Sequence, residues 1–177
     1  AIAILTDKEE IGSMGNTGLQ SDFLPHVVHD ICVMQGCDET VALRNSKCLS
    51  ADVNAGTDPT FQDVMERRNA SFVNYGAVIT KYTGARGKSG TSDASAEFVA
   101  EVRAMLDNAG IIWQTGELGK VDAGGGGTVA KYVANLDVDV IDVGVPVLSM
   151  HAPFEVVSKI DVYMAYKAFS AFFDLKD

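Results

Sequence analysis

Two adjacent carboxylates, Glu9 and Glu10, follow the apolar run Ala1–Leu5 within Asp7-Lys8-Glu9-Glu10-Ile11-Gly12-Ser13. Paired acids at the end of a buried strand are costly unless something positive binds them. On an extended backbone neighbouring side chains point to opposite sides. One of the two can then hold a cation while the other stays free to move a proton, a division that metal-assisted hydrolysis requires. The competing reading is an exposed acidic turn. Two further strand ends present metal-ligand types: Asp52, closing Ser50-Ala51-Asp52, and His151, closing Ser149-Met150-His151. Carboxylates and an imidazole offered from separate strand ends are a common way to build a hydrolytic zinc site. Singly, Asp52 also reads as a turn cap and His151 as a hydrogen-bonded histidine ahead of Pro153. Their shared place at strand C-termini is what joins them.

Other candidates divide less cleanly. Gly124–Gly127 stand before a helix start, where backbone N–H groups face open space. Gly125 and Gly126 therefore read either as a cradle near a substrate carbonyl or carboxylate, or as a tight crossover between packed elements. The run lacks the dinucleotide-binding glycine spacing, because Val129 occupies the last glycine position. Gly87-Lys88-Ser89 resembles the tail of a phosphate-binding loop, but Tyr82 stands where that loop needs its first glycine. A nucleotide-binding domain is thereby set aside. His26 and His29 share a helix face and read as surface or core-edge histidines. Cys48 reads as core packing.

These residues need a scaffold of alternating strands and helices. Ala1–Thr6 reads as a buried strand, Ser21–Met34 as a helix and Lys47–Asp52 as a short strand. Ala77–Tyr82 is a strand and Ser92–Asn108 an amphipathic helix stopped by Gly110. Ile111–Gln114 is a strand, and Asp122–Gly127 is a glycine loop feeding a helix over Thr128–Asn135. Val138–Val145, nearly all apolar, reads as a strand buried on both faces, and Asp161–Phe173 as a closing helix. The pattern predicts an α/β three-layer sandwich, a central mostly parallel or mixed sheet flanked by helices. The long irregular stretches Val53–Asn74 and Thr115–Gly127 lie at strand ends, where sites tend to form.

With 177 residues, 47% hydrophobic and 21% charged, the chain reads as one globular domain or most of one. Its net charge of -10 argues against nucleic acid and anionic membrane surfaces as partners. Three cysteines without a CxxC pair argue against a disulfide framework and for a reducing compartment, here the cytoplasm.

Together, Asp7–Ser13, Ser50-Ala51-Asp52, Gly76–Glu97 and Asp142–His151, with the following Asp161-Val162-Tyr163-Met164-Ala165-Tyr166-Lys167, resemble the aminopeptidase I and aspartyl aminopeptidase family of two-zinc metallopeptidases, closest to its bacterial aminopeptidase I branch. The resemblance implies a zinc-exopeptidase fold and removal of N-terminal residues from peptides. It makes Glu9 the general base, and Glu10, Asp52 and His151 the metal ligands. It implies two zinc ions per complete site, with manganese or cobalt as alternatives, and a homo-oligomer. A further histidine and a bridging aspartate are expected upstream of Glu9, as is an inserted dimerisation domain. The chain, beginning at Ala1, therefore reads as the C-terminal part of a catalytic domain, inactive alone. The competing reading is a non-catalytic assembly domain. The aspartyl branch carries histidines after Ser-Ala-Asp. Val53–Pro59 has none, which favours neutral over acidic N-terminal residues. Lys81, Arg86 and Lys88 read as contacts to an acidic substrate or a neighbouring subunit, or as solvated loop charges.

Overall fold

A computed structural model describes residues 1–86, 89–90, 92–120 and 122–175. Its elements are α1 (Phe23–Gln35), α2 (Glu39–Arg44), β1 (Lys47–Ser50), β2 (Asn54–Ala55), a 3-10 turn (Gln62–Val64), β3 (Ala77–Thr80), α3 (Ala96–Asn108), β4 (Trp113–Thr115), α4 (Ala130–Ala134), β5 (Asp139–Gly144), β6 (Pro146–Leu148), β7 (Val156–Val157) and α5 (Lys159–Phe173). The main sheet runs β1-β5-β3-β4, with β1 parallel to β5, β3 antiparallel to β5 and β4 parallel to β3. A smaller sheet runs β2-β6-β7.

Side-chain alternation along β5 builds two cores. Ile141 and Val143 pack with Ile79, Phe98, Val102, Leu106 and Ala168, so α3 and α5 cover one face. Val140 packs with Ala130 and Val133 of α4 on the other face. This is the expected helix–sheet–helix sandwich around a mixed sheet. The same period of two turns Asp142 toward the α4 face. Helix α3 starts where Ser95 accepts from the Phe98 amide (3.2 Å). Helix α5 is anchored by Asp161, fully buried, whose carboxylate accepts from the amides of Asn74 (2.7 Å) and Gly76 (2.8 Å). No helix among the described residues is long and apolar enough to cross a membrane.

Two expectations are corrected, and one further element appears. Ala1–Thr6 forms no strand. Its Ile4–Thr6 stretch borders a groove with Leu19, Phe23 and Leu24, and Leu5 is 99% exposed. An apolar run becomes a strand only when a neighbour takes its backbone groups, and no ladder reaches this one. The predicted strand Val138–Val145 divides at Val145, its two parts serving different sheets, because the Val145 carbonyl accepts from the Asn54 amide (2.9 Å) as β2 begins. Helix α2 was not expected from the periodicity. Its signal is local: Asp38 caps it by accepting from the Val41 amide (2.9 Å), and Glu39 occupies its first turn.

Candidate metal centre and active site

The Glu9-Glu10 pair sits in a turn, not on extended backbone. The Gly12 amide donates to the Glu9 carbonyl (2.9 Å), and the Ser13 amide to the Lys8 carbonyl (2.7 Å). The acidic-turn reading is thus right about the local backbone. The side chains nevertheless differ in setting: Glu9 is half-buried and Glu10 mostly exposed. The turn is held from outside. Gln20 Nε2 donates to the Gly12 carbonyl (2.6 Å), and the Tyr132 hydroxyl of α4 donates to the same oxygen (3.3 Å).

Asp52 follows β1 in a turn closed by its own amide on the Ser50 carbonyl (2.9 Å). Two features fix that turn. Gly144 of β5 passes so close that a Cβ there would stand 1.6 Å from the Asp52 carbonyl oxygen. Buried Asn54 then anchors the chain beyond it, donating to Thr80 Oγ1 (2.9 Å) and accepting from Ser71 Oγ (2.7 Å). His151 lies beyond β6, where Ser149 and His151 both take left-handed backbone (φ 59° and 66°). Glu155 Oε1 accepts from the His151 amide (2.6 Å).

Glu9, Glu10, Asp52 and His151 all line one open cleft of about 540 Å³. His151 Nδ1 faces Glu10 Oε1 at 3.5 Å. Asp52 borders the cleft without closing on that pair: among the described residues no three His, Cys, Asp or Glu side chains gather tightly enough to hold a metal ion. The expected convergence of Glu10, Asp52 and His151 is therefore met for the first and last and not for all three. Four carboxylates, those of Glu9, Glu10, Asp52 and Glu155, and one imidazole line the cleft. That excess of negative charge fits a divalent cation in kind. Glu9 titrates above its ordinary range, first through burial and then through Asp52 and Glu10, with His151 and Lys131 opposing. Asp52 is also raised, first by burial, against the Val53 amide.

Gly125 and Gly126 both line the cleft, together with Gly127 and Thr128. Gly125 has φ 90°, and a Cβ there would stand 2.1 Å from the Gly84 carbonyl oxygen, so only glycine fits the loop at that point. Lys81 is not brought to the cleft. It is exposed and pairs with Asp93. Arg86 is exposed too, and Lys88 lies outside the described residues. His29 Nδ1 meets Glu39 Oε2 of α2 at 3.1 Å, away from the cleft.

Residues that motif reading passed over also shape the site. Val53, Val64, Met65, Leu118 and Met150 give the cleft an apolar wall. Behind it lies Asp142, 3% exposed, whose Oδ2 accepts from Thr128 Oγ1 (2.9 Å). Its Oδ1 and the neighbouring Ser50 Oγ are buried without a completed hydrogen bond, although the Ser50 hydroxyl is near enough to stabilise the charge. The available signal was an acid in the apolar middle of β5, flanked by Ile141 and Val143, whereas Asp139 stands at the strand's exposed start. Burial pushes Asp142 up to about 6 from an ordinary 3.8. The folded chain therefore holds this proton more tightly than the unfolded chain. Stability falls as pH rises from about 4 through about 6, by about 3 kcal/mol in all. Asp142→Asn removes that loss. Without added metal, urea unfolding of the variant is expected to match the parent at pH 4 and exceed it by about 2–3 kcal/mol at pH 7.5.

Known proteins resemble this chain in sequence and fold. The family described as aminopeptidase I zinc metalloprotease (M18) matches residues 1–173. A probable M18 family aminopeptidase 1 from Clostridium acetobutylicum is 50% identical over 175 residues, covering 97% of this chain and 38% of that protein. The crystal structure of an M18 aminopeptidase from Thermotoga maritima superposes with a TM-score of 0.90 at 47% identity, over 94% of this chain and 38% of that one. A Saccharomyces cerevisiae aminopeptidase solved as a dodecamer superposes with a TM-score of 0.79 at 25% identity, over 96% of this chain and 36% of that one. The chain thus spans about 38% of the length of curated relatives it matches. A family match over nearly every residue, with the acidic turn, Ser-Ala-Asp and Met-His segments opening on one cleft, places this chain in the M18 family of aminopeptidase I zinc metalloproteases.

Proposed function

We propose that this chain supplies the general base and three metal-holding side chains of a metal-dependent aminopeptidase that removes N-terminal residues from peptides. The observation that carries the reading is the common cleft of Glu9, Glu10, Asp52 and His151. Glu10, Asp52 and His151 would hold zinc, two ions in a complete site, with manganese or cobalt able to substitute. Bound there, zinc polarises a peptide carbonyl and lowers the pKa of water. The half-buried Glu9 carboxylate accepts the proton released as water attacks the scissile carbonyl and returns it to the departing amine. Gly125 and Gly126 let the backbone approach the substrate without side chains in the way. The apolar wall of Val53, Val64, Met65, Leu118 and Met150 suits neutral N-terminal side chains better than acidic ones, and Lys81, held by Asp93, stays outside that wall. The working protein is a homo-oligomer, in line with the dodecameric relative, and its three free cysteines suit the reducing cytoplasm.

The test is a chimera in which this chain replaces the matched segment of the Clostridium acetobutylicum relative. Hydrolysis of leucyl over aspartyl peptides with stoichiometric zinc is expected. A folded chimera that holds zinc and cleaves neither substrate contradicts the proposal.

A further inference from the structure

Helix α1 ends in a way that brings two thiols together. Gly36 takes left-handed backbone (φ 68°, ψ 32°), its amide donates to the Val33 carbonyl (3.4 Å), and the Cys37 amide donates to the Cys32 carbonyl (3.0 Å). These two bonds define the Schellman ending, in which the residue just beyond the glycine packs against the residue five positions earlier. That contact is ordinarily apolar; here both positions are cysteine. Cys32 is 4% exposed and Cys37 is exposed, and both are free thiols. The Cys32 thiol is pushed up to about 11, first through the neighbouring Cys37 thiol and then by burial. The proton therefore stays on Cys32, and the sulfur offered to solvent is that of Cys37. Cys48, raised to about 11 by burial, sits apart on β1. Neither Cys32 nor Cys37 lines the cleft.

We propose that Cys32 and Cys37 form a redox-responsive pair: Cys37 meets a hydroperoxide, and Cys32 closes a reversible disulfide across the end of α1. The Cys37 thiolate attacks hydrogen peroxide; an S–O bond forms, the O–O bond breaks, and the released hydroxide takes up a proton as water. The Cys32 sulfur then attacks the sulfenic sulfur of Cys37. An S–S bond forms, the S–O bond breaks, and hydroxide leaves with the Cys32 proton as a second water. Two electrons pass from the thiol pair to one peroxide, and a dithiol reductant reverses the change. The bond ties the last turn of α1 to the segment entering α2, five residues apart, and shields Cys37 from further oxidation.

The experiment treats the folded chain with hydrogen peroxide, alkylates it under denaturing conditions and maps the cysteines by mass spectrometry. The peptide carrying Cys32 and Cys37 is expected to lose two hydrogens and both alkylation sites, and dithiothreitol should restore them, while Cys48 alkylates throughout. In Cys32→Ser, Cys37 is expected to accumulate as a sulfenic acid trapped by dimedone. In Cys37→Ser, oxidation of Cys32 is expected to slow about tenfold or more. The proposal is overturned if parental Cys37 passes to sulfinic acid, or bridges two chains, while Cys32 remains alkylatable. It is equally overturned if both thiols stay reduced at a dose that oxidises the urea-unfolded chain.

Discussion

Glu9→Gln is expected to lower kcat of the chimeric aminopeptidase about 10³-fold while leaving KM and zinc content unchanged. The amide keeps the volume and hydrogen-bonding reach of the carboxylate and loses only its ability to take a proton. Glu9 is the half-buried member of the pair, and burial, Asp52 and Glu10 all favour its protonated form. Those influences suit a group that must gain and release a proton. Glu10, mostly exposed and facing His151 at 3.5 Å, is the neighbour proposed to hold the cation. Glu10→Gln is therefore expected to lose zinc together with activity, so the two neighbours separate in one assay with metal analysis. A Glu9→Gln enzyme within tenfold of the parent rate assigns the proton transfer elsewhere.

Gly144→Ala is expected to cost about 3–5 kcal/mol of stability and to weaken zinc binding in whatever folds. The added Cβ would meet the Asp52 carbonyl oxygen at 1.6 Å, and that obstacle is backbone on both sides, so no rotamer change relieves it. Either β5 leaves its register with β1, where Ser50 pairs with Asp142, or the Asp52 turn moves away from the cleft. Gly126→Ala is the control. It lies on the same cleft, yet a Cβ there meets nothing within 4 Å, and its stability change should stay within about 0.5 kcal/mol. Equal unfolding midpoints for the two variants would show that the Asp52 turn tolerates displacement.

The parts of this fold legible in the sequence are those where local chemistry and tertiary demand agree. Phe98, Val102, Met105 and Leu106 lie on one buried stripe, and Ser95 caps the helix that carries them, so α3 falls within a turn of its expected bounds. The apolar run around Val140–Val143 had to be a buried strand. What stayed hidden depends on distant partners. Nothing in Ala1–Thr6 states whether a neighbouring strand will take its hydrogen bonds. The break at Val145 is imposed by Asn54, more than ninety positions earlier in the chain. At the site, the types and order of Glu9, Glu10, Asp52 and His151 pointed to one cleft, and they share one. The spacing of Asp52 from the Glu10–His151 pair was not legible, because it depends on how the end of β1 and the turn beyond β6 are set by the assembled sheets. Lys81 reads from sequence either as a substrate or subunit contact or as a solvated charge, and only the fold shows that Asp93, twelve residues on, takes its charge.

In the proposed site four side chains from three segments, the Glu9-Glu10 turn, Asp52 and His151, face one divalent cation site. An anomalous difference map at the zinc edge, from crystals of the chimera, addresses it directly. The expected density stands in the cleft against the Glu10 and Asp52 carboxylates and the His151 imidazole, with Glu9 beside it and not bound. Zinc elsewhere, or zinc in the cleft with Asp52 and His151 both turned away, would contradict it.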